Sequence, residues 1–292
     1  MSMKMAVVGA SGLIGSALCR RAEASGWSVT RLSVRGGVPT GEDPIAAELA
    51  LAAPEVVVFC SACHSPRHGP AAWAAQIDGT IAPAVRVARA VPPSVTLAIF
   101  LGSCEEYGNT APPFREDGPL RAFSPYGWAK ISAFQAVSLL AHQRGFPLAW
   151  VRPFLTFGPG QRGELLVPSL IEACVADKAI DLTPGGQTRD FIYVEDVVSM
   201  LMTIVGNPDR AAGTVLNLAS GIPRSIREVG ETIRRLVGRG RLNWGGLPYR
   251  FDEAMSFYAC MDAWRSRFGP QPLTPFEDSL QATINAETRS LC

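Results

Sequence analysis

Short apolar runs alternate with helical stretches along the first half of the chain. The apolar runs, each bounded by polar or turn-forming residues, cover residues 4–10, 28–34, 55–62, 94–103 and 147–154. The stretches with helical periodicity cover residues 12–25, 71–91 and 125–144. Strands of a parallel sheet are covered by helices on both faces, so they are apolar along most of their length. The pattern therefore predicts an α/β fold with a Rossmann-type, doubly wound parallel sheet.

The second half of the chain has a looser pattern, with frequent Gly and Pro. A strand followed by a helix returns at 189–206, which predicts that the chain crosses back to the sheet there. We therefore expect a dinucleotide-binding domain formed by 1–156 plus 187–219. A smaller C-terminal substrate-binding lobe would comprise 157–186 plus 220–292. Ligands of open α/β sheets bind beyond the carboxyl ends of the strands, so the lobe should close over that edge.

Composition excludes several classes of protein. The 292 residues carry a net charge of +1 and are 47% apolar, which indicates a globular core without a basic surface for nucleic acid. The chain contains no run of 18 apolar residues, so no membrane span is predicted. The first 19 residues resemble a signal peptide, but a buried strand and a glycine turn explain them better. With seven cysteines, an odd count, we expect reduced thiols in a cytoplasmic protein.

A glycine-rich turn, GASGLIG, joins the first predicted strand to the first predicted helix. Glycines at this place allow a tight turn and a close approach of backbone N–H groups to a pyrophosphate. The spacing is one residue looser than the usual dinucleotide fingerprint, and a plain strand–helix turn is the alternative. The residues expected to contact the dinucleotide here are Gly9, Ser11, Gly12, Leu13, Ile14 and Gly15.

The end of the second predicted strand bears on the choice of dinucleotide. NAD sites usually place a carboxylate here, where it accepts from a ribose hydroxyl. This chain has Ser33, with Arg31 and Arg35 on either side. A hydroxyl and a guanidinium would bind a 2′-phosphate that a carboxylate would repel. The residues therefore favour NADP(H), with NAD(H) possible; the alternative is that the arginines are only solvated.

The segment SPYGWAK places Tyr126 and Lys130 four residues apart, on one face of a predicted helix. An ammonium group beside a phenol favours the phenolate and lowers its pKa. Such a tyrosine can exchange a proton with a carbonyl or alcohol oxygen near neutral pH. Ser103, at the end of the fourth predicted strand, could hydrogen-bond the same oxygen. The combination predicts hydride-transfer chemistry with a nicotinamide cofactor.

Together, the motifs resemble the extended short-chain dehydrogenase/reductases, in particular the nucleotide-sugar epimerase/dehydratase group. The matching segments, in the order of the family, are GASGLIG, GSCEEYG, SPYGWAK, RPFLTFGPGQ, RDFIYVEDV and NLASG. The resemblance implies that Ser103, Tyr126 and Lys130 are catalytic. It also implies that Arg189 and Arg250 bind the diphosphate of a nucleotide sugar. The residues implied to line the cofactor are Cys60, Ser61, Ala62, Pro153, Tyr126 and Lys130.

The resemblance further implies a homodimer joined by the helices at 71–91 and 125–144. Two positions depart from the family pattern, since Leu155 and Gln76 stand where the family often has Asn. The link between the second and third strands is also short.

Two groups of residues have more than one interpretation. Cys60 and Cys63, followed by His64 and His68, have a spacing compatible with metal or redox chemistry, but we expect no metal because Cys60 ends a buried strand. Glu105 stands where 4,6-dehydratases and some decarboxylases of the family carry a catalytic and substrate-contacting Glu. It could remove a proton beside a 4-keto group, or it could be dispensable in a reductase.

We therefore expect an NADP(H)-dependent reductase of a 4-keto-6-deoxy nucleotide sugar, acting in deoxysugar biosynthesis. One alternative is a 4,6-dehydratase or epimerase that recycles NAD without net redox change. The alternative of another class is a non-catalytic protein that senses a dinucleotide, which would not need Ser103, Tyr126 or Lys130. The sequence does not identify the base or the sugar.

Overall fold

The structure is a computed structural model that describes residues 2–34, 43–63, 69–161, 165–251 and 253–291. Its strands, in chain order, are β1 (Lys4–Val8), β2 (Ser28–Leu32), β3 (Val56–Phe59), β4 (Leu97–Leu101), β5 (Leu148–Pro153), β6 (Leu155–Phe157), β7 (Ala179–Leu182), β8 (Thr188–Tyr193), β9 (Thr214–Leu218), β10 (Pro223–Ser225), β11 (Arg241–Trp244) and β12 (Ser256–Phe257). Its α-helices are α1 (Leu13–Ala24), α2 (Pro44–Ala52), α3 (Pro70–Gln76), α4 (Ala82–Ala90), α5 (Pro125–Arg144), α6 (Leu166–Val175), α7 (Val194–Val205), α8 (Pro208–Ala211), α9 (Ile226–Val237), α10 (Asp262–Phe268) and α11 (Phe276–Leu291).

The main sheet is parallel and has the strand order β2-β1-β3-β4-β5-β9. Both faces of the sheet are covered, as the side chains of β1 show: successive residues enter different apolar clusters. Met5 and Val7 pack in one cluster, and Ala6 and Val8 pack in another. This alternation explains why the strand is apolar at successive positions. The predicted Rossmann-type α/β fold is confirmed, with each of the five predicted apolar runs forming a strand of this sheet.

The helix predicted over 71–91 is interrupted. Its two α-helical parts, α3 and α4, are joined by a π-helical turn, Ile77–Ile81, and the Ala82 N–H donates to Ile77 O. Pro83 has no N–H to donate, so a regular α-helical ladder cannot continue through it. The widened turn therefore takes the place of the regular hydrogen bonds.

Two smaller sheets are separate from the main sheet. β8 pairs with β6, β10 and β12, and β7 pairs with β11. The predicted strand at 189 does not join the main sheet, because the edge of β5 is occupied by β9. The chain nevertheless returns to the main sheet in this region, since α7 packs in the same core cluster as β1 and is followed by β9. A third apolar cluster fills the lobe between α6, α9 and α11 and includes Phe191 of β8.

The predicted division of the chain into two domains stays a prediction. The link between β2 and β3 also contains α2, which the sequence pattern did not indicate; the Asp43 side chain accepts from the Ile45 N–H at its start. In the part of the chain that is described, helices are too short or too polar to cross a bilayer.

Candidate active site

The glycine turn forms a cradle between β1 and α1. Gly9 has a φ of 86°, and a Cβ there would lie 2.8 Å from the Ser61 N. A Cβ at Gly15 would lie 2.3 Å from Gly9 O. Among the described residues no side chain caps α1, and its first turn has no acidic residue. Its N-terminal N–H groups and the positive end of its dipole therefore suit an anionic pyrophosphate.

The segment after β3 lies directly beside this cradle, as the prediction for the cofactor site requires. Cys60, Ser61 and Ala62 are half-buried, and the Cys60 N–H donates to Val8 O at 2.8 Å. Burial raises the pKa of the Cys60 thiol to about 12, so this group is neutral at physiological pH. A neutral thiol is a poor metal ligand and a poor nucleophile.

The second half of the CxxC pattern has a structural role. Cys63 is anchored to the helix at 70–90, because its N–H donates to Thr80 Oγ1 at 3.1 Å and its carbonyl accepts from Gln76 Nε2 at 3.0 Å. Among the described residues there is no cluster of three or more His, Cys, Asp or Glu that could hold a metal. His64 and His68 lie outside the described residues.

The predicted 2′-phosphate site is described only in part. Ser33 is exposed, just beyond the carboxyl end of β2. Arg31 is paired with Glu23 through two contacts of 2.6 and 2.9 Å between their side chains. Arg35 lies outside the described residues. The choice between NADP(H) and NAD(H) therefore depends on Ser33 and Arg35, while Arg31 already has an anionic partner.

The three residues predicted to be catalytic lie at the carboxyl end of β4 and on α5. Ser103, Tyr126 and Lys130 are 7%, 5% and 3% exposed. Lys130 Nζ donates to Leu101 O at 2.7 Å and lies 5.8 Å from the centroid of the Tyr126 ring. The predicted helical spacing is confirmed, since both side chains come from the first two turns of α5. Pro153, the remaining predicted cofactor residue, ends the neighbouring strand β5 and is half-buried.

Glu105 is held against the start of α5. Its Oε2 accepts from Ser124 Oγ at 2.8 Å, and Ser124 Oγ accepts from the Gly127 N–H at 3.0 Å. Ser124 is the N-cap of α5, so Glu105 extends the cap by one hydrogen bond. Glu105, whose role the sequence left open, therefore has a structural contact with Ser124, two residues before Tyr126.

The two arginines predicted to bind a diphosphate differ in their surroundings. Arg189 is part-buried; its Nη1 donates to Thr188 O at 2.8 Å and to Ala254 O at 2.7 Å, and its Nη2 contacts Glu253 Oε1. Burial lowers the pKa of Arg189, and the charge of Arg250 lowers it further while Glu253 opposes the change. Arg250 is exposed. A diphosphate would thus meet one exposed guanidinium and one that already has a carboxylate partner.

Sequence reasoning missed the buried polar residues that support the site. Glu106 and Arg152 form an ion pair of 2.7 Å with both side chains at most 1% exposed. Asp190 accepts from four donors: Ser220 N and Oγ, Gly221 N and Ala259 N. The sequence signal that could have revealed them is a charged residue within an apolar strand, as Arg152 is in WVRPF and Asp190 is in RDFIYV.

Comparison with known proteins gives the family. The chain belongs to the NAD dependent epimerase/dehydratase family, whose model matches residues 5–219. It is 31% identical over 148 residues to UDP-N-acetyl-alpha-D-glucosaminuronate decarboxylase of Bacillus cytotoxicus, covering 48% of this chain and 46% of that one. It is 27% identical over 143 residues to dTDP-D-glucose 4,6-dehydratase of Homo sapiens, covering 48% of this chain and 40% of that one.

A solved structure agrees over the whole length. MoeE5 in complex with UDP-glucose and NAD has a TM-score of 0.87 and 26% identity, covering 99% of this chain and 100% of that chain. By contrast, this chain matches about half the length of the curated relatives. The predicted family is confirmed, and NAD is the dinucleotide of that similar structure; the preference for NADP(H) stays a prediction.

Proposed function

We propose that the protein transfers hydride to or from a sugar carbon of a nucleotide sugar. The observation that carries this proposal is the burial of Ser103, Tyr126 and Lys130 together at the carboxyl end of β4. Tyr126 gives or takes the proton of the reacting sugar oxygen, and Ser103 hydrogen-bonds that oxygen. Lys130 favours the phenolate of Tyr126 by its positive charge.

The cofactor is held by the cradle at Gly9–Gly15 and by the segment Cys60–Ala62. When bound, the dinucleotide supplies or accepts the hydride. The N-terminal N–H groups of α1 bind its pyrophosphate. We propose NADP(H) as the preferred form, because Ser33 stands where a carboxylate would favour NAD(H) and Arg35 is close in sequence.

The substrate is a nucleotide sugar with its diphosphate at Arg189 and Arg250. This assignment is supported by their shared neighbour Glu253, whose side chain contacts Arg189 and whose N–H donates to Arg250 O at 3.1 Å. Two guanidinium groups at one place suit two adjacent phosphates. Because Glu253 already contacts Arg189, the diphosphate must compete with that carboxylate or approach it from the other side.

We propose reduction of a 4-keto-6-deoxy nucleotide sugar as the direction of the reaction. In this reaction Tyr126 donates its proton to the C4 oxygen as hydride arrives, and no second base is needed. The hydrogen bond between Ser124 and Glu105 supports a positioning role for Glu105 rather than a role as a base. A base that removes a proton from carbon would have to give up part of this contact.

The second candidate is a 4,6-dehydratase or epimerase that recycles NAD. It is favoured by the NAD in the similar MoeE5 structure and by the names of the relatives, which include a dehydratase. In a dehydratase Glu105 would act as the base that removes the proton beside the 4-keto group as water leaves, and hydride would return to C6. In an epimerase hydride would return to the carbon it left, and Glu105 would not be needed as a base.

One experiment separates the two candidates. The purified protein is given NADPH with a dTDP-4-keto-6-deoxy sugar, and separately NAD with dTDP-glucose. Reduction predicts stoichiometric loss of NADPH absorbance in the first reaction, and Glu105→Gln should retain most of that rate. Formation of a 4-keto-6-deoxy product in the second reaction, without net change in cofactor, would instead establish the dehydratase. Tyr126→Phe is the control that should be inactive in either case.

We also propose a homodimer through a surface defined by Trp73, Ile77, Trp128 and Leu139. These side chains are 39% to 57% exposed on α3, the π-helical turn and α5. The rings of Trp73 and Trp128 are packed edge to face, with centroids 5.2 Å apart. An exposed apolar surface with paired tryptophans is typical of a protein interface.

A further inference from the structure

A buried carboxylate lies beneath the catalytic turn. Glu106 is 0% exposed, and its Oε2 accepts from Arg152 Nε at 2.7 Å. Its Oε1 accepts from the Ser103 N–H at 2.8 Å and from Trp150 Nε1 at 3.1 Å. The Glu106 carboxylate thus accepts hydrogen bonds from three donors. One of them is the backbone N–H of Ser103, which has a proposed role in the reaction.

Gly102 makes this arrangement possible. A Cβ at position 102 would lie 2.1 Å from Glu106 Oε1 and 2.3 Å from Trp150 Nε1. Any side chain there would push the carboxylate away from the strand end. Gly102 also separates Leu101, whose carbonyl accepts from Lys130 Nζ, from Ser103. The carboxylate therefore bonds Ser103 and lies against Gly102, and Gly102 is directly followed by Ser103 and preceded by Leu101, the anchor of Lys130.

The ion pair between Glu106 and Arg152 is also held through the other groups that the Arg152 guanidinium contacts. Arg152 Nη1 donates to the Tyr107 hydroxyl at 3.0 Å and to Glu116 O at 3.2 Å. Tyr107 in turn donates to Asn217 Oδ1 at 2.7 Å, on the neighbouring strand β9. Burial raises the pKa of Tyr107 above its ordinary value, so the phenol keeps the proton that it donates. The network joins the turn after β4 to β5 and β9.

We propose that Glu106 is a positioning residue that, anchored by Arg152, fixes Ser103 and the Leu101 carbonyl for the reaction. The proposal rests on the proposed roles of Ser103 and Lys130. Its chemical reason is that a carboxylate has acceptors on both oxygens, whereas a Gln amide has one oxygen and one NH₂ group. In Glu106→Gln at least one of the three donors must face another donor, so the strand end has to shift.

The first test is hydrogen exchange at the Ser103 amide, resolved by fragmentation mass spectrometry. We expect exchange in Glu106→Gln to be at least about 10-fold faster than in the unaltered protein, because the Ser103 amide either faces the new NH₂ group or lies on a strand end displaced by the conflict between that NH₂ group and Arg152. The matched control is Glu231→Gln. Glu231 also accepts from an indole, Trp244 Nε1 at 2.7 Å, and from an arginine, Arg234 Nε at 2.8 Å, but it lies in the lobe. Unchanged exchange at Ser103 in Glu106→Gln would overturn the proposal.

The second test is a double-mutant cycle in kcat with Ser103→Ala. We expect Glu106→Gln to lower kcat about 10-fold, because small misplacements of a catalytic group cost rate, with little change in KM. If Glu106 acts through Ser103, the double variant should have a kcat within about 3-fold of Ser103→Ala alone. Effects that multiply would contradict the proposal, because Glu106 would then act on kcat independently of Ser103. Glu231→Gln should keep the wild-type kcat.

A further variant covers the case in which Glu106→Gln does not fold because Arg152 keeps an unpaired buried charge. Gly102→Ala leaves both charges in place but displaces the carboxylate, so it should reproduce the faster exchange and the non-additive loss of kcat. Wild-type behaviour in Gly102→Ala would contradict the proposal. If the wild-type protein turns over no nucleotide sugar, the proposed function fails, and the exchange measurement still decides whether Glu106 holds Ser103.

Discussion

Substitution of Trp128 by Glu should convert the proposed dimer into a monomer. Trp128 is 39% exposed, which corresponds to about 100 Å² of a side chain of this size. At about 25 cal/mol per Å², covering this area contributes roughly 2.5 kcal/mol per protomer. A twofold interface contains the residue twice, so the loss is about 5 kcal/mol, or between 10³- and 10⁴-fold in the dissociation constant. Burial of the new carboxylate would add to this loss.

The measurement is sedimentation velocity at a protomer concentration of about 10 μM, with the melting temperature as a check of folding. The wild-type chain should sediment as a dimer and Trp128→Glu as a folded monomer. Leu51→Glu is the control, because Leu51 is 89% exposed on α2, away from this surface. A monomeric wild-type protein, or a Trp128→Glu variant that remains dimeric, would refute the assignment of the surface.

Four further predictions concern the cofactor, the chemistry and the lobe. Tyr126→Phe should lower kcat about 100-fold or more while fluorescence titration gives an unchanged Kd for the dinucleotide, since only the proton donor is lost. Gly9→Ala should weaken dinucleotide binding at least about 10-fold. The control is Gly26→Ala, because Gly26 has a similar φ of 83° but no atom lies within 4 Å of the added Cβ; this variant should leave the Kd for the dinucleotide unchanged. Arg35→Ala should weaken binding of NADPH and leave that of NADH little changed; an equal loss for both would show that Arg35 does not contact the 2′-phosphate. Asp190→Ala should lower the free energy of unfolding, measured in urea, by about 3 kcal/mol or more, because it removes a fully buried acceptor that serves four donors; a change below about 1 kcal/mol would contradict the reasoning.

The main sheet and the placement of Tyr126 and Lys130 on one helix could be predicted from the sequence because their signals are local. A strand of a parallel sheet is apolar at successive positions, as β1 is, and a glycine turn between strand and helix has a characteristic composition. Tyr126 and Lys130 are one helical turn apart, so their proximity follows from the helix alone. None of these inferences needs knowledge of which strands are neighbours.

The supporting contacts could not be predicted because they depend on the order of the strands. Glu106 and Arg152 meet only because β4 and β5 are adjacent, and they are 46 residues apart in the chain. Arg189 and Glu253 are 64 residues apart and meet where β8 pairs with β12. The sequence shows the charges, but it does not show which charge will be paired. The position of β8 was mispredicted for the same reason.

The catalytic and substrate-binding halves of the site are built from different parts of the chain. Ser103, Glu105, Tyr126 and Lys130 belong to one segment, and its ends are tied together by the bond from Lys130 to Leu101 O and by the bond from Ser124 to Glu105. Arg189 lies on β8 and is held by Ala254 O, and Arg250 O accepts from the Glu253 N–H. If the proposed roles hold, we expect substitutions around these two arginines to change which nucleotide sugar binds while the contacts among Ser103, Tyr126 and Lys130 stay the same, since function resides in sites that vary on a common fold.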